Sequence, residues 1–69
     1  MEEHDNDDVK PIEVTSNYVT YHGTIDRENN IVCEDLRWEA MEEVEDQASQ
    51  GQDSGTFVIS GVTYRWKIL

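Results

Sequence analysis

Five apolar side chains, Leu36, Ala40, Met41, Val44 and Ala48, recur at helical spacing inside a stretch crowded with negative charge. Of the thirteen residues 34–46, seven are carboxylates: Glu34, Asp35, Glu39, Glu42, Glu43, Glu45 and Asp46. Asp35, Glu39, Glu42 and Asp46 follow the i, i+4, i+7, i+11 rule, so they form one stripe with Glu43 at its border, opposite the apolar positions. The pattern predicts a helix from residue 34 to about residue 50, with Gly51 as its C′ cap. Asp35/Glu39, Glu39/Glu43 and Glu42/Asp46 are like-charge i,i+4 pairs, each costing about 0.2–0.5 kcal/mol. Arg37 is the only base in the stretch, and its one acid at helical spacing is Glu34. Its stem is expected to cover the apolar side of the helix. A helix burdened in this way must be held by packing of its apolar face, and the rest of the chain must supply the surface it packs on.

That surface reads as β-sheet. Residues 12–25 are rich in Val, Thr, Tyr and Ile and alternate, with Tyr18, Thr20 and His22 on one face and Val19 and Tyr21 on the other, which predicts a strand. Asp26, Arg27, Glu28, Asn29 and Asn30 form a turn cluster, and Ile31, Val32 and Cys33 a short return strand. Residues 56–69 are strand-like, broken by Ser60-Gly61 as a tight hairpin turn. In the last strand Val62, Tyr64, Trp66 and Ile68 share one face, which makes Trp66 a core residue. Arg65 and Lys67 share the other, as a charged strand edge that discourages aggregation. The expected fold class is α+β: a small ββαββ domain, an antiparallel sheet of two hairpins with one helix packed across it. Residues 1–11 read as an acidic disordered tail, because they lack the apolar surface to offset ordering entropy, and residues 12–69 as a single domain.

Size and charge narrow the function. With 69 residues the core is thin, since a domain of this size buries only about 60% of its unfolded surface. The formal net charge of −11 disfavours direct binding of nucleic acid or of an anionic membrane, both of which need positive patches, and favours a basic partner. A lone cysteine, Cys33, allows no internal disulfide and fits a reducing compartment; it reads as a small buried hydrophobe. No segment has the features of a signal peptide or a membrane helix. The expected location is the cytoplasm, including that of a host cell. His4, His22 and Cys33 lack metal-ligand spacing, Asp5-Asn6-Asp7-Asp8 lacks the glycine and terminal glutamate of a calcium loop, and no nucleophile or phosphate-loop motif occurs. Neither a cofactor, a metal nor an enzymatic activity is expected.

The acidic stripe carries the functional expectation. Carboxylates three and four residues apart stand about 5–6 Å from one another on a helix. Such a row presents regular negative charge along a rod, as DNA does with one phosphate per about 3.4 Å of each strand. It suits a cationic groove built for nucleic acid. Trp38, at the border of the stripe, has the composition of an interface anchor ringed by polar groups. The expected contact set is Asp35, Trp38, Glu39, Glu42, Glu43 and Asp46, acting on a basic protein that binds nucleic acid, with this chain a monomer or homodimer. A merely solvated helix face and adaptation to high salt are the competing readings of the acid. A structural or adaptor subunit that adds residues 64–69 as an edge strand to a partner's sheet is the competing function. In size, charge and coarse architecture the chain resembles the small acidic inhibitors that phages use against host defence or transcription, such as anti-CRISPR, anti-restriction and RNA-polymerase-binding proteins. That resemblance implies a DNA mimic that inhibits by protein–protein interaction.

Overall fold

A computed structural model describes residues 9–69. The chain runs β1 (Val9–Ser16), β2 (Val19–Asp26), β3 (Ile31–Val32), α1 (Trp38–Ser49), β4 (Ser54–Ile59) and β5 (Val62–Ile68). The five strands form one antiparallel sheet in the order β3-β2-β1-β5-β4. The helix packs across one face of it. The α+β class and the arrangement of hairpins around one helix are those expected.

Residues 12–25 are not one strand but the facing arms of a hairpin. Asn17 takes a positive φ of 32°, and Ser16 pairs with Val19 across the turn. Asn is one of the few residues that enters this region readily. Strand propensity alone does not show the fold-back, because Val, Thr and Tyr continue on both sides of it. The Asp26 cluster closes the next turn as expected. Its Oδ1 accepts the N–H groups of Glu28 and Asn30, each at 2.9 Å, and Asn29 sits at φ 69°. These bonds hold the Asp26 carboxyl below the usual carboxylate range, the Asn30 N–H contributing most.

Residues 9–11, expected in the tail, belong to β1 and pair with Ile25 and its neighbours. Pro11 is tolerated because of where it falls. Its missing N–H faces the β5 side at the last rung of that ladder, where its carbonyl still accepts the Leu69 N–H at 2.9 Å. The remainder of the expected tail, residues 1–8, lies outside the described residues.

Alternation decides the core. Ile12 and Val14 on β1, Ile25 on β2, Ile31 on β3, and Tyr64 and Trp66 on β5 point toward the helix and are buried. Ala40, Val44 and Ala48 meet them from α1, with Leu36 and Cys33 closing one end. The small Ala40 and Ala48 let the helix backbone come close to the sheet, and Trp66, 1% exposed, fills the space beneath. Phe57 stacks on its cross-strand partner Tyr64, with ring centroids 5.1 Å apart. Trp66 is thus core, as its alternation with Val62 and Tyr64 implies. Cys33 is buried, and burial pushes its thiol pKa up, with Asp35 adding to the effect.

β5 is not an edge. It is paired with β1 on one side and β4 on the other. The expectation of a docking edge at residues 64–69 is therefore overturned, as is the role of Arg65 and Lys67 in guarding an edge. They project from the centre of the open sheet face, where Lys67 approaches Glu13, its cross-strand partner, at 3.9 Å. The reason is topological: β1 inserts between the two hairpins, which hydrophobic patterning of the last strand cannot reveal.

Candidate functional site

The helix starts later than the periodicity predicts. It begins at Trp38, not at residue 34. Asp35 takes a positive φ of 71°, the Leu36 N–H bonds back to the Cys33 carbonyl at 3.3 Å, and Arg37 is extended at the N-cap. Asp tolerates the left-handed region because its short side chain finds local partners. The turn drives Leu36 into the core from outside the helix, so its apparent place in the helical period is coincidental. Asp35 is consequently not on the helical stripe. It stands in the loop ahead of it.

What remains on α1 is Glu39, Glu42, Glu43 and Asp46, and the helix contains no Lys or Arg. The late start also changes the partner of Arg37. From the N-cap its Nε donates to Glu39 Oε1 at 3.0 Å, instead of reaching Glu34. This bond, followed by the residue's own N–H, lowers the pKa of Glu39; the same bond, followed by the Tyr64 hydroxyl, raises that of Arg37. The first turn lacks a side-chain N-cap, and the Glu39 carboxylate takes up part of that function. Both groups are exposed, so the pair orients more than it stabilises.

Glu45 belongs to a different category from its neighbours. Its Oε2 accepts the Ile31 N–H at 3.0 Å, tying α1 to β3. Glu42, Glu43, Glu45 and Asp46 border a shallow open depression along the helix. Asp46 also accepts the Gln50 side-chain amide at 3.3 Å. Trp38 begins the helix with 61% of its surface exposed, beside the start of the acidic face. Of the six expected contact residues, the structure gathers Trp38, Glu39, Glu42, Glu43 and Asp46 on or beside one helix surface and sets Asp35 apart.

Two features that orient this surface are not apparent from sequence. Gln47 Oε1 accepts the Trp66 indole N–H at 2.8 Å, and Gln47 Nε2 donates to the Thr56 carbonyl at 3.1 Å. One side chain thus satisfies the core tryptophan and locks α1 to β4. Gly55 makes room for it, since a Cβ there would collide with Gln47 Oε1. At the other end the helix closes as predicted, with Gly51 at φ 92°. The Gly51 N–H reaches the Ala48 carbonyl at 2.9 Å and the Gln52 N–H the Gln47 carbonyl at 3.2 Å, the paired bonds of a Schellman motif. Carboxylate spacing along α1 is therefore set by a helix fastened at Gln47, at Glu45 and at its C-terminus.

Comparison with protein-family models, curated proteins and solved structures finds no match. The functional reading rests on the geometry alone. Among the described residues, no three His, Cys, Asp or Glu side chains gather to hold a metal ion, and no helix is long and apolar enough to cross a membrane.

Proposed function

We propose that this protein is a small non-catalytic inhibitor that occupies the basic nucleic-acid-binding groove of another protein by charge mimicry, in the manner of phage anti-host proteins and within the cytoplasm of the cell it acts in. The observation that carries the reading is the outer face of α1. Glu39, Glu42, Glu43 and Asp46 stand on a helix free of basic residues, bordered by the exposed Trp38. A fixed row of like charges raises the local potential more than the same charges on mobile side chains, and it steers a cationic surface toward the helix. Trp38 supplies the apolar area that charge alone lacks.

The distribution of acid favours this reading over adaptation to high salt. On the open sheet face β1, β2 and β5 present Glu13, Thr15, Thr20, His22, Thr24, Asp26, Thr63, Arg65 and Lys67, a mixed surface with a cross-strand pair. Acid spread for solvation would cover both faces.

The test is capture of basic nucleic-acid-binding proteins from a host lysate at low salt, with the Glu42→Lys/Glu43→Lys/Asp46→Lys variant as control, followed by competition of the captured protein with duplex DNA. Binding that the variant loses and that DNA displaces supports mimicry. Binding indifferent to the reversals or to DNA removes it.

A further inference from the structure

The two edges of the sheet are treated differently. On β4, Gln47 Nε2 covers the Thr56 carbonyl and Gln52 Nε2 the Ser54 carbonyl, at 3.1 and 3.0 Å. Two outward carbonyls of that edge are thus covered by side chains of the same molecule. On the other side β3 is only two residues long and pairs with β2 at Thr24 and Ile25 alone. The Asp26 N–H continues that ladder to the Asn30 carbonyl at 3.1 Å. Successive even-numbered residues of a strand direct N–H and C=O to the same side. Thr20 and His22 therefore aim theirs along the edge that Thr24 and Asp26 use, beyond the point where β3 ends. No described strand lies beside them.

This open edge lacks the protections that edges ordinarily carry. Residues 14–25 contain no Asp, Glu, Lys or Arg, and no Pro, in a chain that is 30% charged. A charge, a proline or a bulge is the usual defence against strand pairing. Here Tyr18 is 97% exposed, and Val19 next to it is exposed as well.

We infer that the β2 edge is a self-association surface, on which a second copy of this chain adds its own β2 antiparallel about a two-fold axis. Two observations select a second copy as the occupant. The edge is self-complementary: with the axis at Thr20, the two Thr20 residues exchange N–H···O bonds and Val19 of each copy faces Tyr21 of the other. It is also free of formal charge, so two chains of net charge −11 meet there without setting like charges against each other. A contact through the acidic helix could not meet that condition. So short a paired segment, residues 19–21 of each copy with Tyr18 and His22 flanking it, buries less than the roughly 1,200 Å² of stable complexes, so the dimer is weak and concentration-dependent. It would present two acidic helices from one ten-stranded sheet.

Sedimentation equilibrium from about 10 μM to about 1 mM tests this, in the range where an interface below standard size associates. The mass is expected to rise from 8.0 kDa toward twice that value. Added salt should strengthen the dimer, because it screens the repulsion between two anionic copies. The groove complex proposed above should weaken with salt, so the two readings fail separately. Thr20→Pro removes an outward N–H that no partner within the molecule uses, and Val19→Lys places a charge at the contact. Either is expected to hold the chain at the monomer mass with its melting temperature unchanged. If Thr20→Pro fails to fold, Val19→Lys decides. A wild-type chain that stays at 8.0 kDa up to about 1 mM, or folded variants that dimerise as the wild type does, overturn the inference.

Discussion

The outer face of α1 and the open face of the sheet lie on opposite sides of the same thin core, and they handle charge in opposite ways. On the sheet face, Glu13 stands across from Lys67, Arg65 stands between Thr15 and Thr56, and Thr20, Thr24 and Thr63 lie among the neighbouring positions. Any charge there has a counter-charge or a neutral neighbour. On α1 the acids are stacked without an intervening base on the helix, and the guanidinium of Arg37 binds Glu39 at the very start. Solubility is served by either arrangement. Only the second costs helix stability, which is the physical ground for assigning it a partner.

The comparison breaks most decisively if the faces can be exchanged. Reversing Glu42, Glu43 and Asp46 to lysine should weaken binding of the basic partner by about 100-fold or more, roughly 3 kcal/mol, as loss of close interfacial charge does. Arg65→Glu with Lys67→Glu should change it less than about threefold, because a charge far from an interface acts only through screened long-range fields. Surface plasmon resonance on the captured partner measures both. Equal losses from the two variants would show that net charge, and not the helix face, is what the partner reads.

A smaller effect is expected where the helix is fastened. Gln47→Ala leaves the indole N–H of buried Trp66 without an acceptor, and urea unfolding should report a loss of about 1–3 kcal/mol. If Gln47 fixes the pitch of the acidic row, the variant should also bind more weakly while remaining folded.

Acid titration sharpens the contrast further. The Glu39 and Asp26 pKa values are both depressed in the folded state. The stability they contribute is present above the ordinary carboxylate range and is lost as the pH falls through their lower folded values. Melting temperature should therefore decline on acidification below about pH 4. Arg37→Gln should reduce the part of that decline that belongs to Glu39 and leave the Asp26 part in place.

The smallest expected effect has the opposite sign. Glu42→Gln removes a like-charge i,i+4 pair with Asp46 and should stabilise the fold by about 0.2–0.5 kcal/mol. Lys67→Ala on the sheet face should destabilise it by at most about 0.5 kcal/mol, since its partner is 3.9 Å away and the lysine is mostly exposed. Denaturation that finds Glu42→Gln destabilising would show that this carboxylate holds the fold, as Glu45 does through the Ile31 N–H.

Local chemistry was legible in the chain, and non-local chemistry was not. The Asp26 turn, the Ser60-Gly61 turn and the Gly51 cap each depend on residues within a few positions of one another, and each formed where composition placed it. Ser60 and Gly61 both carry positive φ, as a two-residue hairpin requires. Asn17 was the missed local signal: a single Asn between two runs of strand formers was the mark of a turn. The bond from Gln47 to Trp66 spans nineteen residues and that from Glu45 to Ile31 fourteen, so no periodicity could announce them. Nor could the acidic stripe show that Asp35 lies outside it, because helical projection assumes a helix and cannot detect a left-handed residue within its own window.

The amino-acid sequence by itself determined that a helix with an apolar back and an acidic front would pack on antiparallel strands, because period-3.6 and period-2 patterns are properties of the chain alone. It determined, too, that any partner must tolerate or seek negative charge. The tertiary structure decided which strand is central, which strands lie at the edges, and which carboxylates face solvent as a row. Those outcomes depend on pairings between residues far apart in the chain, and the free energy that selects among them comes into being only when the sheet and the helix close on one another.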